Sequence, residues 1–340
     1  MRPTIVFGIL SAAHRAETLS QLIDSLGGRP VVIHHDFTQQ ADFSVSAGNA
    51  VFVTDPARTG WGEWGLMESL VRTIEFCGEQ FDYDYLQFLT PVDLPIRPIE
   101  EFEAYIGSDS HDVAVDALSL DEDELAFMAF AYRAFAPAGS GMYRLLWRLR
   151  EQYFGPGCVA ANRAGLSVPL DCRRNSAGDP AVPARLARWL TRRYVSLATR
   201  FGDAQVAGAP HVGSSWFGAS RQACEYLVGR VRDPRVRARF EPIFCAPEML
   251  MSTVFAASRF RRAPGNHEIS RFDGARPVWL GVDDIPGLQR SGKFFARKFP
   301  DDPTAPVRLQ LLASLTPPQI TSCAVDARSA DPIRTKVTTS

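Results

Sequence analysis

The feature that most constrains this chain is the alternation within its first hundred residues. Almost wholly apolar runs of strand length take turns with stretches whose apolar residues recur at helical spacing. The strand-like runs are Thr4–Leu10 (TIVFGIL), Pro30–Ile33 (PVVI), Ala50–Val53 (AVFV) and Tyr85–Thr90 (YLQFLT). Between them, Ala16–Leu26 sets Leu19, Leu22, Ile23 and Leu26 on one helical face, and Glu68–Phe76 also reads as a helix. A strand that is apolar throughout must be covered on both sides, and parallel strands need crossover helices to join them. The expectation is therefore an α/β chain, a mostly parallel sheet flanked by helices. Such sheets bind ligands beyond the carboxyl ends of their strands. Here those ends carry Ser11, His35 with Asp36, and Asp93.

Composition excludes several alternatives. With 340 residues, 46% hydrophobic and 22% charged, the chain can bury a sizeable core, which rules out intrinsic disorder and coiled coil. A formal net charge of -1 argues against a dedicated nucleic-acid binder. The six cysteines are scattered and form no CxxC, so zinc and redox spacings are missing and reduced thiols are expected. The opening apolar run is short and soon broken by His14 and Arg15, unlike a signal peptide. No stretch has the length of a transmembrane helix. These features together predict a cytoplasmic protein with no transmembrane segment.

The middle of the chain is basic: residues 131–200 hold twelve arginines against Glu151, Asp171 and Asp179. Val182–Arg200 reads as an amphipathic basic helix with Leu186, Trp189, Leu190 and Tyr194 on one side. Its arginines form either a solvated face or a wall turned towards an anionic ligand. His211–Ser220 leads into a helix over Arg221–Val231, and Cys245–Phe255 is a helix with Pro247 at its start. Residues 1–315 are expected to form one domain, and the polar residues 316–340 a flexible tail.

No glycine-rich phosphate loop is present. Asp82 and Asp84 have the spacing of a metal-holding carboxylate pair, yet they precede a strand, where a ligand cannot reach them. Asp93 stands at the correct end, but alone. Glu248 falls in the first turn of a helix, where it either complements the helix dipole or, half-buried beside Met249 and Met251, serves as a general base. Phe294–Phe299 (FFARKF) sets Arg297 and Lys298 between aromatics, and either cation can meet a diphosphate.

In order along the chain, these blocks resemble the core-2/I-branching β-1,6-N-acetylglucosaminyltransferase family (glycosyltransferase family 14), which also holds the peptide O-xylosyltransferases. The matching blocks are Ile9–Leu26, Ile33–Asp36, Val51–Leu70, Phe81–Arg97, Gly213–Leu227, Ala246–Val254 and Phe294–Phe299. The resemblance implies a GT-A type fold and an inverting transfer of a sugar, GlcNAc or xylose, from a UDP-sugar to a hydroxyl of a glycan or other acceptor. It implies no metal and no other cofactor. By position, it makes Glu248 the catalytic base, Asp36 a donor contact and Lys298 a diphosphate cation; Ser11 at its strand end and Arg297 beside Lys298 are added to the donor side from the residues themselves. Arg276 matches a second family cation, with Arg271 competing. The acceptor side falls on Asp93, Glu124, Arg133 and Trp216. Pro91 and Val92 before Asp93, and Phe37 and Thr38 after Asp36, depart from the family pattern. The animal members are Golgi-anchored and disulfide-rich, so this chain is expected to be a bacterial, cytoplasmic relative. Two alternatives remain at this stage: a metal-dependent transferase using either the pair Asp82 and Asp84 or else Asp93, and a non-catalytic glycan-binding protein.

Overall fold

The computed structural model describes residues 2–108, 110–201, 206–269, 272–273 and 276–315. A seven-stranded sheet forms its centre. Strands β1 (Ile5–Ser11), β2 (Val31–His35), β3 (Ala50–Phe52) and β4 (Tyr85–Leu89) make one half, and Gly218–Ser220, Val113–Ala114 and Arg262–Ala263 extend it beyond β4. Every neighbouring pair is parallel except the two made by Gly218–Ser220. The expected mostly parallel α/β sheet is therefore present. Because Gly218–Ser220 runs against its neighbours, the residues just before it lie at the carboxyl end of β4.

The helices are α1 (Ala16–Ser25), α2 (Gly65–Gln80), α3 (Ile99–Gly107), α4 (Glu124–Ala134), α5 (Gly141–Phe154), α6 (Val182–Phe201), α7 (Arg221–Arg232), α8 (Pro234–Phe240) and α9 (Ala246–Ala256). Alternation along each strand explains how they cover both sheet faces. Val6, Leu10, Leu86 and Phe88 point into a core built with α2, α4, α7 and α9. Ile5, Phe7, Ile9 and Leu89 point into the other, built with α1, α3 and residues 294–299. Every residue of β1, β2 and β4 is buried, as continuous apolar runs require.

Helix α6 is present, and the side that carries Leu186, Trp189 and Leu190 is not its packed side. The structure packs Ala184, Ala187 and Thr191 inward and leaves Leu186, Trp189 and Leu190 at 55%, 59% and 37% exposure. Small side chains let the helix lie close against its neighbours, and periodicity alone does not separate a small-residue stripe from a large one. Phe294–Phe299 is extended over Phe295–Ala296 only, the centre of a small sheet between Leu94–Pro95 and His267–Glu268. Among the described residues no helix is long and apolar enough to cross a membrane. Cys77, Cys158, Cys172, Cys224 and Cys245 are free thiols, while Cys323 and the expected tail lie outside the described residues.

Candidate active site

The small sheet determines the first part of the site. Phe295–Ala296 pairs antiparallel with Leu94–Pro95, and the Phe299 amide donates to the Val92 carbonyl at 2.8 Å. This register carries Arg297 alongside Asp93. Asp93 is wholly buried; it accepts the Thr90 amide at 2.7 Å and lies 3.5 Å from Arg297 Nε and 3.6 Å from His267 Nε2. Burial, the largest influence, would raise the Asp93 pKa, but Arg297, His267 and the Thr90 amide together hold the carboxyl below its usual value. The expectation that Asp93 binds an acceptor is corrected on this ground: it faces the interior as the counter-charge of Arg297. Arg297 also lies over the ring of partly buried Trp216, 4.4 Å from its centroid. The cation that reaches outward is Lys298, half-buried over Trp279 at 4.3 Å. Burial, then the neighbouring Arg297, depress the Lys298 pKa.

Glu248 sits at the third position of α9, facing the same end of the sheet. Its Oε2 accepts from Arg133 Nη2 at 2.5 Å, with side-chain exposures of 21% for Glu248 and 8% for Arg133. Its Oε1 has no hydrogen bond among the described residues, leaving one carboxylate oxygen open. Burial most strongly disfavours the Arg133 charge, yet Glu248, Tyr132 and Cys245 together raise its pKa. Arg133 is thus occupied by Glu248 and the Phe244 carbonyl. Arg297 lies in the field of both Asp93 and Glu248.

Two backbone contacts hold α9 in place. The Gly213 amide donates to the Glu248 carbonyl at 2.9 Å, and the Cys245 amide donates to the Gly62 carbonyl at 2.9 Å. Gly213 is required because a Cβ there would lie 1.9 Å from the Asp116 carbonyl oxygen. Gly62, at φ +78°, leaves room for the Phe244 ring. The Gly62–Gly65 turn thereby clasps the loop that starts α9, while Trp61, 84% exposed, rests edge-on against Phe244 at 4.8 Å.

Ser11 and Asp36 occupy the expected strand ends. His35 Nε2 faces the Gln40 carbonyl at 3.1 Å and must donate to it; Nδ1 is then the acceptor for the Ser11 hydroxyl at 3.1 Å. Ser11 keeps free lone pairs. Asp36 does not: its carboxylate accepts from Thr38 N, Thr38 Oγ1, Gln39 Nε2, Thr59 N and Thr59 Oγ1 at 2.6–3.0 Å. Burial opposes its charge, but these donors lower its pKa well below the carboxylate range. As a donor-nucleotide contact it has no acceptor left to offer. It staples the loops after β2 and β3.

No protein-family model matches the chain, and no curated protein matches it. Among solved structures, CMP:2-keto-3-deoxy-manno-octonic acid synthetase complexed with CTP aligns with a TM-score of 0.31 and 11% identity, covering 77% of this chain and 89% of that one. S. aureus TarS 1-349 aligns with a TM-score of 0.22 and 12% identity, covering 74% and 72%. Both scores are low, and no argument about function is drawn from them.

Other expected residues lie elsewhere. Glu124 opens α4, which Arg133 nearly ends, so the two stand about 13 Å apart along the helix axis. Glu124 accepts from Tyr153 at 2.9 Å, pairs with Arg188 at 2.9 Å and lines a separate cavity of about 310 Å³, which removes it from the site. Asp84 accepts the Thr4 amide at 2.8 Å, and Asp82 pairs with Arg221 at 3.1 Å, both at the entrance of β4. They cannot share a ligand with Asp93 at its exit. Arg276 begins the strand Arg276–Pro277, and Arg271 lies outside the described residues. Two residues not singled out for the site belong to it. His267 borders Asp93, and His14, whose pKa is lowered chiefly by burial, lies in the field of Asp301 and Lys298. His14 Nδ1 and both His267 nitrogens are buried without hydrogen-bond partners. His14 follows a strand end, a signal the sequence offers; His267 has none.

Proposed function

We propose that this protein is an inverting, metal-independent glycosyltransferase of the kind the sequence resembles, using a UDP-sugar donor and the hydroxyl of a glycan or other acceptor. One observation carries the reading: Glu248 is clamped through one carboxylate oxygen by a buried arginine, with its other oxygen open, and lies in the field of Arg297, the chain neighbour of Lys298. A surface glutamate serving only the helix dipole needs no buried arginine partner. In the proposed reaction, Glu248 Oε1 takes the acceptor hydroxyl proton while that oxygen attacks the anomeric carbon. The bond from that carbon to the diphosphate oxygen breaks on the opposite face, and Lys298 balances the charge gathering on departing UDP. A single displacement inverts the anomeric centre. Ser11 is the remaining donor contact with free acceptors; Asp36, Arg297, Asp93 and Trp216 hold the frame. GlcNAc or xylose is the proposed sugar.

A thermal-shift panel of UDP-sugars, with and without EDTA, tests this directly. A donor at about 100 times its dissociation constant adds about 2.7 kcal/mol of stability, and EDTA should leave that gain intact. A panel in which no UDP-sugar stabilises the protein, or only with manganese added, overturns the reading.

A further inference from the structure

Helix α6 presents two apolar stripes on opposite sides. The inner one, Ala184, Ala187 and Thr191, packs against the body of the protein. The outer one is formed by Val182, Leu186, Trp189, Leu190 and Leu197, which are 65%, 55%, 59%, 37% and 48% exposed. Val182, Leu186, Trp189 and Leu190 follow one another on one side at three- and four-residue spacing, Arg193 takes the next place there, and Leu197 follows it. Five large apolar side chains on one outward face exceed the scatter of single exposed residues found on ordinary surfaces.

The charge around the strip indicates what covers it. Helix α6 contains five arginines and no acidic residue, and Arg185, Arg188, Arg192 and Arg193 are all exposed. Arg188 is taken by Glu124 at 2.9 Å, and Arg192 lies over Phe127 at 4.1 Å. Arg185 and Arg193 make no ion pair among the described residues. A strip of Leu, Val and Trp bordered by arginines matches the chemistry of a membrane interface: apolar side chains enter the acyl boundary, the indole sits at headgroup level, and guanidinium groups reach lipid phosphates. A second copy of the chain is a poorer match. A two-fold contact through this strip would bring arginine against arginine, with no acid on the helix to separate them.

We propose that α6 is an interfacial docking helix that lays its outer strip on an anionic lipid bilayer. The proposal stands apart from the transferase reading and does not depend on it. It is tested with the full chain and vesicles of equimolar phosphatidylglycerol and phosphatidylcholine, compared with vesicles of phosphatidylcholine alone. The expected result is co-sedimentation with the anionic vesicles only, weakened by added salt, with a blue shift of tryptophan emission that Trp189→Phe removes without abolishing binding. Leu186→Ser combined with Trp189→Ser should reduce partitioning by at least about tenfold. Arg185→Gln combined with Arg193→Gln should reduce it and flatten its salt dependence. All four side chains are exposed, so the melting temperature should not change in either variant. Failure to sediment with anionic vesicles overturns the proposal, as does equal binding by the serine variant. Concentration-dependent dimerisation that the serine variant abolishes, without vesicle binding, would make the strip a self-association surface instead.

Discussion

Replacing Glu248 by Gln separates two roles that a glutamate in the first helical turn can play. A purely dipolar role is worth roughly 0.3–1 kcal/mol. The structure predicts more, because the substitution leaves the Arg133 guanidinium buried beside a neutral amide. Removing one partner of a fully buried pair costs about 3–5 kcal/mol. Glu248 keeps about a fifth of its side-chain surface in contact with solvent, and the Gln oxygen still accepts a hydrogen bond. Arg133 also retains the Phe244 carbonyl, 3.3 Å from its Nε, and the Phe130 and Phe244 rings. The expected loss is therefore about 2 kcal/mol, which for a chain of 340 residues lowers the melting temperature by about 3 °C. Urea unfolding of wild type, Glu248→Gln, Arg133→Met and the double variant closes a cycle, and a coupling of at least about 1 kcal/mol is expected. UDP release from the donor in the presence of acceptor should fall at least about 10²-fold in Glu248→Gln, with donor affinity unchanged. A coupling near zero, or a Gln variant with more than half the wild-type turnover, would refute the reasoning.

Other expectations follow from single contacts. Lys298→Ala should weaken UDP binding and flatten its salt dependence with the melting temperature almost unchanged. Because the Lys298 pKa is depressed, wild-type UDP affinity should fall at a lower alkaline pH than an ordinary lysine would give, as isothermal titration across pH can check. Burial lowers the His34 pKa to about 4, and its neutral Nε2 accepts the Ala57 amide at 2.8 Å. The unfolded chain binds this proton more readily than the folded one, so His34 stability is complete above about pH 6.5 and is lost as pH falls towards 4. Urea titrations of His34→Gln should show a shallower acid decline; an unchanged slope would reject the assignment. Gly213→Ala should destabilise by several kcal/mol, read as a lowered urea midpoint, since its Cβ meets the Asp116 carbonyl beside the amide that holds the Glu248 carbonyl.

The legible parts of the site were those whose position follows from local pattern. Ser11, Asp36 and Asp93 were placed at strand ends because apolar runs mark where strands stop, and all three lie there. Their roles were less legible. A carboxylate at a strand end looks the same in sequence whether it faces a ligand or is saturated by Thr38, Gln39 and Thr59, as Asp36 is. Arg297 and Lys298 are adjacent, yet only the register of Phe295–Ala296 against Leu94–Pro95 turns one towards buried Asp93 and leaves the other partly exposed. The helix over 182–200 was recognised with its larger apolar side chains on one side, but only the tertiary structure shows that the small residues face inward.

By itself the sequence determined the α/β class, because continuous apolar runs joined by amphipathic helices have few ways to be covered except as a mostly parallel sheet between helical layers. It also determined the end of the sheet where polar residues gather, since chain direction is written into the order of strand and helix. The tertiary structure alone decided which of those groups meet. Arg133 and Glu248 are separated by 115 positions, and Arg297 by 204 from Asp93, so no local period couples them. Their pairing depends on long-range packing that buries an arginine until a carboxylate faces it, because an unpaired charge in the interior is too costly to leave alone.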